Sequence, residues 1–418
     1  MSWTPQHLDQ LGYLSRGRSR HRPRDAAHLY DGPYPFIQTG DIKHAGLYVT
    51  TYEQTYSEVG LEQSRLWPAG TLCITIAANI ADTAILGIDA CFPDSVIGFI
   101  PDEKKADARF VKYLFDATIQ QRVQQFTQGA AQDNLSQEKL LSIEFMVPSI
   151  SEQSRIADIL SAYDDLIENN RRRMALLEDA ARQLYREWFV RLRFPGYEHT
   201  RITNGVPEGW EKKRFGKVLN HEIGGGWGQD EPQGTETEEG YVIRGTDIPE
   251  VEAGDFGAVG LRYHDPRRLP QRILQAGDII FEVSGGSATQ AIGRTLLITE
   301  ETLRALAPRV ICASFCKLFR VEDLVSPYFL LRFLRHIRES GELSVFQKQS
   351  ASALQNFQYQ AFLEEQEVLV PTTVLLKEFC ATQASFLRQQ QTLAIQSHKL
   401  RAARDLLLPR LMSGDIAA

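Results

Sequence analysis

A chain that carries one pattern twice folds as two copies of one unit, and this 418-residue sequence carries such a pattern. Pro35-Phe36-Ile37-Gln38-Thr39-Gly40-Asp41-Ile42 returns as Tyr241-Val242-Ile243-Arg244-Gly245-Thr246-Asp247-Ile248, 206 residues later. Pro68-Ala69-Gly70 returns as Gln275-Ala276-Gly277 at 207, and Val147-Pro148 as Val370-Pro371 at 223. Asn134-Leu135 returns as Asn356-Phe357, and Ala180-Ala181-Arg182-Gln183-Leu184 as Ala402-Ala403-Arg404-Asp405-Leu406, both at 222. Each match is short. Five in the same order, with one growth in offset, describe a tandem duplication carrying a single insertion near 290 to 350.

Within each half, short apolar runs punctuated by Gly and Pro come first, then a short helix (Phe110 to Phe126; Pro327 to Arg338), then Val-Pro and a long helix. Thr71–Ile76 and Asp278–Val283 read as strands, bounded by Gly on at least one side. The first long helix is expected from Ser151, a plausible N-cap, to about Val190. Ile156, Leu160, Tyr163, Ile167, Asn170, Met174, Leu177, Ala181, Leu184 and Trp188 are spaced alternately by four and three, the pattern of an a/d seam. In the second helix Phe379, Phe386, Leu393, Leu400 and Leu407 recur every seventh residue, Gln383, Gln390 and Ser397 stand between them, and Pro409 marks the expected stop.

Neither helix hides its stripe alone. The reading is therefore α+β: two tandem globular domains separated by two long helices packed as an antiparallel coiled coil, related by a pseudo-twofold axis. The expected boundaries are 1–148 for the first domain, 149–193 for the central helix, 194–371 for the second domain and 372–418 for the C-terminal helix, with Phe194-Pro195-Gly196-Tyr197 at the junction.

Composition removes several function classes. Forty-six Lys and Arg against 53 Asp and Glu give a net charge of −7, which argues against a free-standing polybasic DNA or membrane binder but not against local patches. Five scattered cysteines make no disulfide framework, and no targeting or membrane-spanning run occurs, which points to the cytoplasm. There is no phosphate loop of the Gly-x-x-x-x-Gly-Lys-Ser/Thr kind and no Asn/Asp-Pro-Pro-Tyr/Phe run of an amino-methyltransferase. Gly224-Gly225-Gly226-Trp227-Gly228 and Ser284-Gly285-Gly286-Ser287 read as tight or mobile loops rather than phosphate cradles. Pro93-Asp94 with Asp102-Glu103-Lys104 only superficially resembles a magnesium nuclease. Cys312 and Cys316 could share a helix face as soft metal ligands, but no partner pair stands near them.

Two diverged domains, each followed by a similar long helix and lacking catalytic motifs, resemble the specificity (S) subunit of type I restriction-modification enzymes. The resemblance is carried by Val147-Pro148-Ser149-Ile150-Ser151-Glu152-Gln153-Ser154-Arg155-Ile156-Ala157-Asp158-Ile159-Leu160, Asp164-Asp165-Leu166-Ile167-Glu168-Asn169-Asn170 and Arg186-Glu187-Trp188-Phe189-Val190. Val206-Pro207-Glu208-Gly209-Trp210 and the C-terminal Asp405–Ile416 segment add to it, whereas Thr372-Thr373-Val374 departs from the expected Glu-Gln-rich helix start.

The resemblance implies a non-catalytic chain whose two target recognition domains each read one half of a bipartite double-stranded DNA site. The long helices would set the spacing and dock two modification subunits carrying S-adenosylmethionine. Restriction subunits using ATP and Mg would join the complex, and no cofactor, metal or membrane would belong to this chain. A coiled-coil adaptor that never touches DNA, or a nuclease, are the alternatives.

Base reading calls for side chains with paired donors and acceptors on loops that reach a groove. The duplicated positions supply the candidates: Gln38, Thr39 and Lys43 with Arg244 and Thr246, and Gln128, Gln132 and Asn134 with Lys348, Gln349, Ser350 and Asn356. Asn79 and Ser284, just past matching strands, join them, as does Asp247 unless it and Asp41 merely brace turns. Asn134 and Asn356 are equally readable as caps on the step into the last strand. Arg16, Arg18, Arg20, Arg22 and Arg24 form a basic run that suits either phosphate contact or a solvated loop.

Overall fold

The computed structural model describes residues 3–77, 81–120, 137–285, 292–322, 325–349 and 355–418. Its contacts gather into two units, Met1–Asn169 with Lys399–Ala418, and Asn170–His398. The division falls inside both long helices rather than at their ends. Four helices matter below: α1 (Ala108–Phe115), α2 (Ile150–Tyr185), α3 (Pro327–Glu339) and α4 (Thr373–Met412).

In the first unit, strands Gly12–Arg16, Val96–Pro101, Leu72–Thr75, Thr83–Leu86 and Tyr48–Val49 lie side by side in that order. The neighbours are antiparallel except for the last pair, which is parallel. Leu72–Thr75 is buried at every position because both faces of the sheet are covered. The strand period of two sorts its side chains: Leu72, Ile74, Ile85, Ile97 and Phe99 pack with Phe110 and Phe115, whereas Cys73, Ala84, Leu86 and Val96 pack with Trp67 and Phe92. Thr4–Gln6 pairs with Phe145–Val147 immediately before α2.

The second unit repeats this order. Leu219–Gly224, Cys316–Val321, Ile279–Glu282 and Thr295–Leu297 follow one another as the first four strands of the other sheet do. Glu211–Arg214 pairs with Glu367–Val370 just before α4. The turn entering the central strand is also repeated. Gly70 and Gly277 adopt φ of +85° and +94°, and their N–H groups donate to Leu86 O at 2.8 Å and to Ile298 O at 2.9 Å. Phe215, Phe281, Phe319 and Phe362, all fully buried, fill this core. Two three-stranded sheets are added, Gly260–His264 with Glu238–Ile243 and Val310–Cys312, and Ser284–Gly285 with Gln355–Phe357 and Gln347–Gln349. Cys312 and Cys316 therefore stand on strands, not on a helix face, and both thiols are buried.

The long helices pack on each other within each unit. In the second, Gln383 Nε2 donates to Ala181 O at 3.0 Å and Gln390 Nε2 to Met174 O at 3.2 Å, so the numbering falls on one helix as it rises on the other. In the first, Leu411 and Met412 share a cluster with Ile156 and Leu160, and Arg404 donates to Asp164, in the same antiparallel sense. Of the heptad positions, Ile156, Leu160, Asn170, Ala181, Phe379 and Leu393 are buried, and Tyr163, Ile167, Met174, Leu177, Leu184, Trp188, Phe386, Leu400 and Leu407 are half-buried. Off the seam, Leu166, Leu176 and Leu406 are exposed.

Two helix ends differ from the sequence expectation. The first helix starts at Ile150, and it is the Ser149 carbonyl that accepts from the N–H groups of Glu152 and Gln153, both at 2.9 Å. Pro409 does not stop α4, which runs on to Met412. A proline this close to a C-terminus costs one backbone bond, and the Pro409 carbonyl still accepts from Ser413 N at 2.9 Å.

A short domain helix joins the seam in each unit through polar groups. From α1, Arg109 Nη1 donates to Asp158 at 2.8 Å and Tyr113 OH to Asp164 at 2.5 Å. From α3, the 4 % exposed Arg332 side chain donates Nε to Gln383 at 2.9 Å and Nη2 to Glu178 at 3.0 Å, and Arg335 adds a contact to Glu178 at 3.1 Å. Burial would raise the Glu178 carboxyl, but the Arg332 hydrogen bond and the charges of Arg335 and Arg332 outweigh it and hold the group at about 2. A depressed carboxyl stabilises the fold above its ordinary value near 4.5, and that contribution fades as pH falls toward 2.

Arg332→Leu leaves Gln383 without its arginine donor and Glu178 with only Arg335 and Gln390, and is expected to lower stability by about 3 kcal/mol at neutral pH. The deficit should shrink below pH 4 as Glu178 protonates in the variant. Urea unfolding at pH 7 and pH 3 checks this; a pH-independent deficit would assign the loss to packing instead.

Candidate nucleic-acid interface

The repeated turns share a brace built from backbone and a carboxylate. Gln38 N donates to Asp41 Oδ2 at 2.7 Å, and Arg244 N donates to Asp247 Oδ2 at 2.9 Å. Both aspartates thus hold the first turn of a short helical segment. Gln38 is exposed and its amide donates to Gln54, Thr39 is half-buried, and Thr246 is exposed. Arg244 folds its guanidinium onto Asp247, Nε to Oδ1 at 2.9 Å and Nη2 to Oδ1 at 2.6 Å, with Nη2 also reaching Ala258 O at 3.2 Å. That contact raises the arginine above its usual range. Lys43 is exposed at the rim of a polar cavity of about 210 Å³ that also holds Asp82, Lys112, Asp116, Asp164 and Arg404.

In the second unit the strand register gathers residues far apart in sequence. Ser284 stands opposite Asn356, Lys348 stands opposite Asn356 from the other side, and Gly285 and Gln349 flank Gln355 in the next row. Two residues before Ser284, the 2 % exposed Glu282 carboxylate accepts from Arg294 Nε at 3.1 Å. Burial raises Glu282, and the Arg294 charge works against it. A Cβ on Gly245 would come within 2.5 Å of Glu282 Oε1, so the Arg244–Thr246 turn is seated directly on this carboxylate. The structure thus brings the Arg244–Thr246 turn to the strand that leads into Ser284, Asn356 and Lys348. Asn79, Gln128, Gln132, Asn134 and Ser350 lie outside the described residues.

The basic run divides into two groups. Arg24 forks onto the Asp94 carboxylate at 2.8 and 3.0 Å, and Arg22 Nη1 donates to the carbonyls of Ser19 and His21 at 2.7 and 2.8 Å. Arg16 uses only Nε, on Asp94 O at 2.9 Å. For Arg18 and Arg20, both exposed, no carboxylate partner occurs among the described residues. Asp94 is thus engaged by arginines, and Asp102 Oδ1 accepts from Lys104 N at 3.1 Å in its own turn. Among the described residues, no three potential metal ligands cluster.

Two aromatic-cation stacks were not legible in the sequence, because Tyr13 is far from Arg65 and Trp67 in it, and Arg262 far from Trp227. Arg65 lies 4.0 Å from the Trp67 ring and 4.9 Å from the Tyr13 ring, and Tyr13 is half exposed. In the second unit Arg262 lies 4.1 Å from the exposed Trp227 ring. The loop that carries Trp227 is tight rather than mobile. A Cβ on Gly225 would meet the carbonyls of Cys312 and Ala313 at 2.2 Å, and Gly228, at φ +71°, packs on His264 and Tyr263.

Comparison with known proteins agrees with this architecture. The family model of the type I restriction modification DNA specificity domain matches residues 2–179. The chain is 25% identical over 429 aligned residues to the type I restriction enzyme MjaIX specificity subunit of Methanocaldococcus jannaschii, covering 99% of this chain and 93% of that one. The crystal structure of a type I restriction-modification S subunit from M. genitalium superposes with a TM-score of 0.60 at 14% identity, over 98% of this chain and 96% of that one, which establishes a common fold. A specificity-domain model on residues 2–179, a second half that repeats the strand order of the first, and a relative aligned from end to end make the chain similar throughout to type I restriction-modification specificity subunits.

Proposed function

We propose that this chain selects the DNA sequence on which a type I restriction-modification complex acts, and that it performs no bond chemistry itself. The observation that carries the reading is the duplicated unit, a four-strand order repeated twice and followed each time by a long helix. Two similar readers on one chain suit a site in two parts. The helices would fix the spacing between those parts and supply the docking surface for two modification subunits. S-adenosylmethionine would sit on those partners, ATP and Mg on restriction subunits, and the complex would work in the cytoplasm.

Within each domain we assign base reading to the repeated turn and to the rung beside it: Gln38, Thr39 and Lys43 with Asn79, Gln128, Gln132 and Asn134 in the first, and Arg244, Thr246, Ser284, Lys348, Gln349, Ser350 and Asn356 in the second. What supports the second set is that separate sequence segments meet at one place, the Glu282-backed turn and the Ser284–Asn356–Lys348 row. Amide and guanidinium groups present the paired donors and acceptors that discriminate bases.

Single-molecule sequencing of DNA from cells with and without this chain, in the presence of its modification subunit, tests the reading. A methylated split motif should disappear with the chain; an unchanged methylome would point to a coiled-coil adaptor instead. Asn356→Ala with Lys348→Ala should relax choice at one or two positions of a single half-site, each lost bidentate contact reducing discrimination by about 1–3 kcal/mol, while the other half-site keeps its sequence. Relaxation of both half-sites, or of neither, would remove these residues from the reading set. With a net charge of −7, the free chain should bind DNA weakly and with strong salt dependence, and affinity should rise when the modification subunit is added.

A further inference from the structure

The segment after strand Gly12–Arg16 follows a strict alternation of burial: Gly17 and Ser19 are buried, and Arg16, Arg18 and Arg20 are exposed. Its backbone is pinned at nearly every step. Gly17 N donates to Val96 O at 2.9 Å and Arg18 N to Phe92 O at 3.2 Å, Arg18 O accepts from Ser64 Oγ at 2.9 Å, and the N–H groups of Arg20 and His21 both donate to Gln63 Oε1, at 2.6 and 3.0 Å. No side chain replaces the inward hydrogen at Gly17, where a Cβ would meet the carbonyls of Phe92 and Pro93 at 2.4 Å. The three arginines are therefore not on a solvated loop. They stand two residues apart on a fixed edge, within the ~6.6 Å that two extended residues can span, a reach that suits neighbouring phosphates along one nucleic-acid strand.

The local charges agree. Arg24 neutralises the Asp94 carboxylate, and Arg22 is engaged by the carbonyls of Ser19 and His21, so both hold the loop although they are exposed. Arg65, stacked on Tyr13 and Trp67 and donating Nη1 to Tyr13 OH at 2.8 Å, adds a further cation beside the strand. In a chain of net charge −7, a row of three outward guanidiniums, two of them with no carboxylate partner among the described residues, is a local reversal of sign.

We propose that Arg16, Arg18 and Arg20 form a phosphate-contact strip by which the first domain grips one strand of the DNA backbone without reading sequence; this rests on the specificity role above and assigns the strip a task separate from base choice. Arg22 and Arg24 are excluded from it as loop-holding residues.

The test uses the full chain purified with its modification subunit, and fluorescence anisotropy with two duplexes, one carrying the methylated motif and one with the motif scrambled, across about 0.05 to 0.3 M salt. Losing two phosphate contacts makes the log–log salt slope shallower by about 2 and weakens binding between tenfold and a hundredfold near 0.1 M. Arg18→Gln with Arg20→Gln should do this equally for both duplexes, leaving the ratio of their affinities unchanged, and Arg18→Lys with Arg20→Lys should restore the slope. Unchanged slope and affinity would overturn the strip, as would a changed preference between duplexes at constant slope, which would make these residues base readers. Loss of the modification subunit from the glutamine variant with the salt slope intact would reassign the row to an acidic protein partner and also overturn it. A wild-type complex that fails to separate the two duplexes would bring down the specificity role itself, whatever the variants show.

Discussion

Register between the two long helices is the constraint from which the rest follows. Apolar seams alone tolerate sliding, because one leucine fits another's hole nearly as well one layer along. Gln383 and Gln390 remove that freedom. They are seven residues apart and reach the carbonyls of Ala181 and Met174, also seven apart, so both amides are satisfied in one alignment. A shift of one or two residues would leave two buried amides facing carbonyls they cannot reach, at a cost of about 1–3 kcal/mol each. Asn170, buried at 7 % exposure in the same seam, is the kind of polar heptad residue that favours one pairing over its neighbours at some expense of stability.

The domain helices use that register rather than creating it. Both α1 and α3 send an arginine to a carboxylate of the first long helix, Arg109 to Asp158 and Arg332 to Glu178, but the neighbouring contacts differ. On α3 the cation belongs to the domain, Arg332, and the carboxylate to the long helix, Glu178. At Asp164 the domain contributes the Tyr113 hydroxyl and the cation comes from α4 as Arg404. Duplication has preserved the arginine that each domain helix sends to the seam, while the additional polar contacts around it have diverged. Each arrangement satisfies its own buried charges, so a domain built for one would leave the other with an unpaired group.

The repeat and the seam were legible because they are periodic. Offsets near 206 and 222 and the four-three spacing of apolar residues survive divergence, since they answer to strand and helix geometry rather than to particular side chains. Even the polar positions of the second helix, which read as gaps in its stripe, belong to the seam once their backbone acceptors are seen. What the sequence concealed is whatever depends on pairing at a distance. Nothing local tells that Arg244 is held by Asp247 and by Ala258 O, or that Ser284, Asn356 and Lys348 share a row. The five arginines from Arg16 to Arg24 look equivalent on the page and are divided only by how each guanidinium is held: Arg22 and Arg24 through their terminal nitrogens on carbonyls and on the Asp94 carboxylate, Arg16 through Nε, and Arg18 and Arg20 by no carboxylate among the described residues. Pro409 was misleading for a different reason: its penalty depends on how much helix follows, and only three residues do.

The brace at the repeated turn has a consequence for how such a chain changes over generations. Asp41 and Asp247 each grip the main-chain N–H of the residue three places earlier, an atom present whatever side chain stands there, proline excepted. Position 38 holds glutamine and position 244 holds arginine, yet the turn is the same. The backbone bond fixes where the exposed residue emerges in both turns, and at position 244 the guanidinium of that residue pairs with the same carboxylate in addition. A side chain at that point can be replaced by mutation without removing the main-chain bond beneath it, which gives this surface a latitude for variation that the buried residues around it do not have.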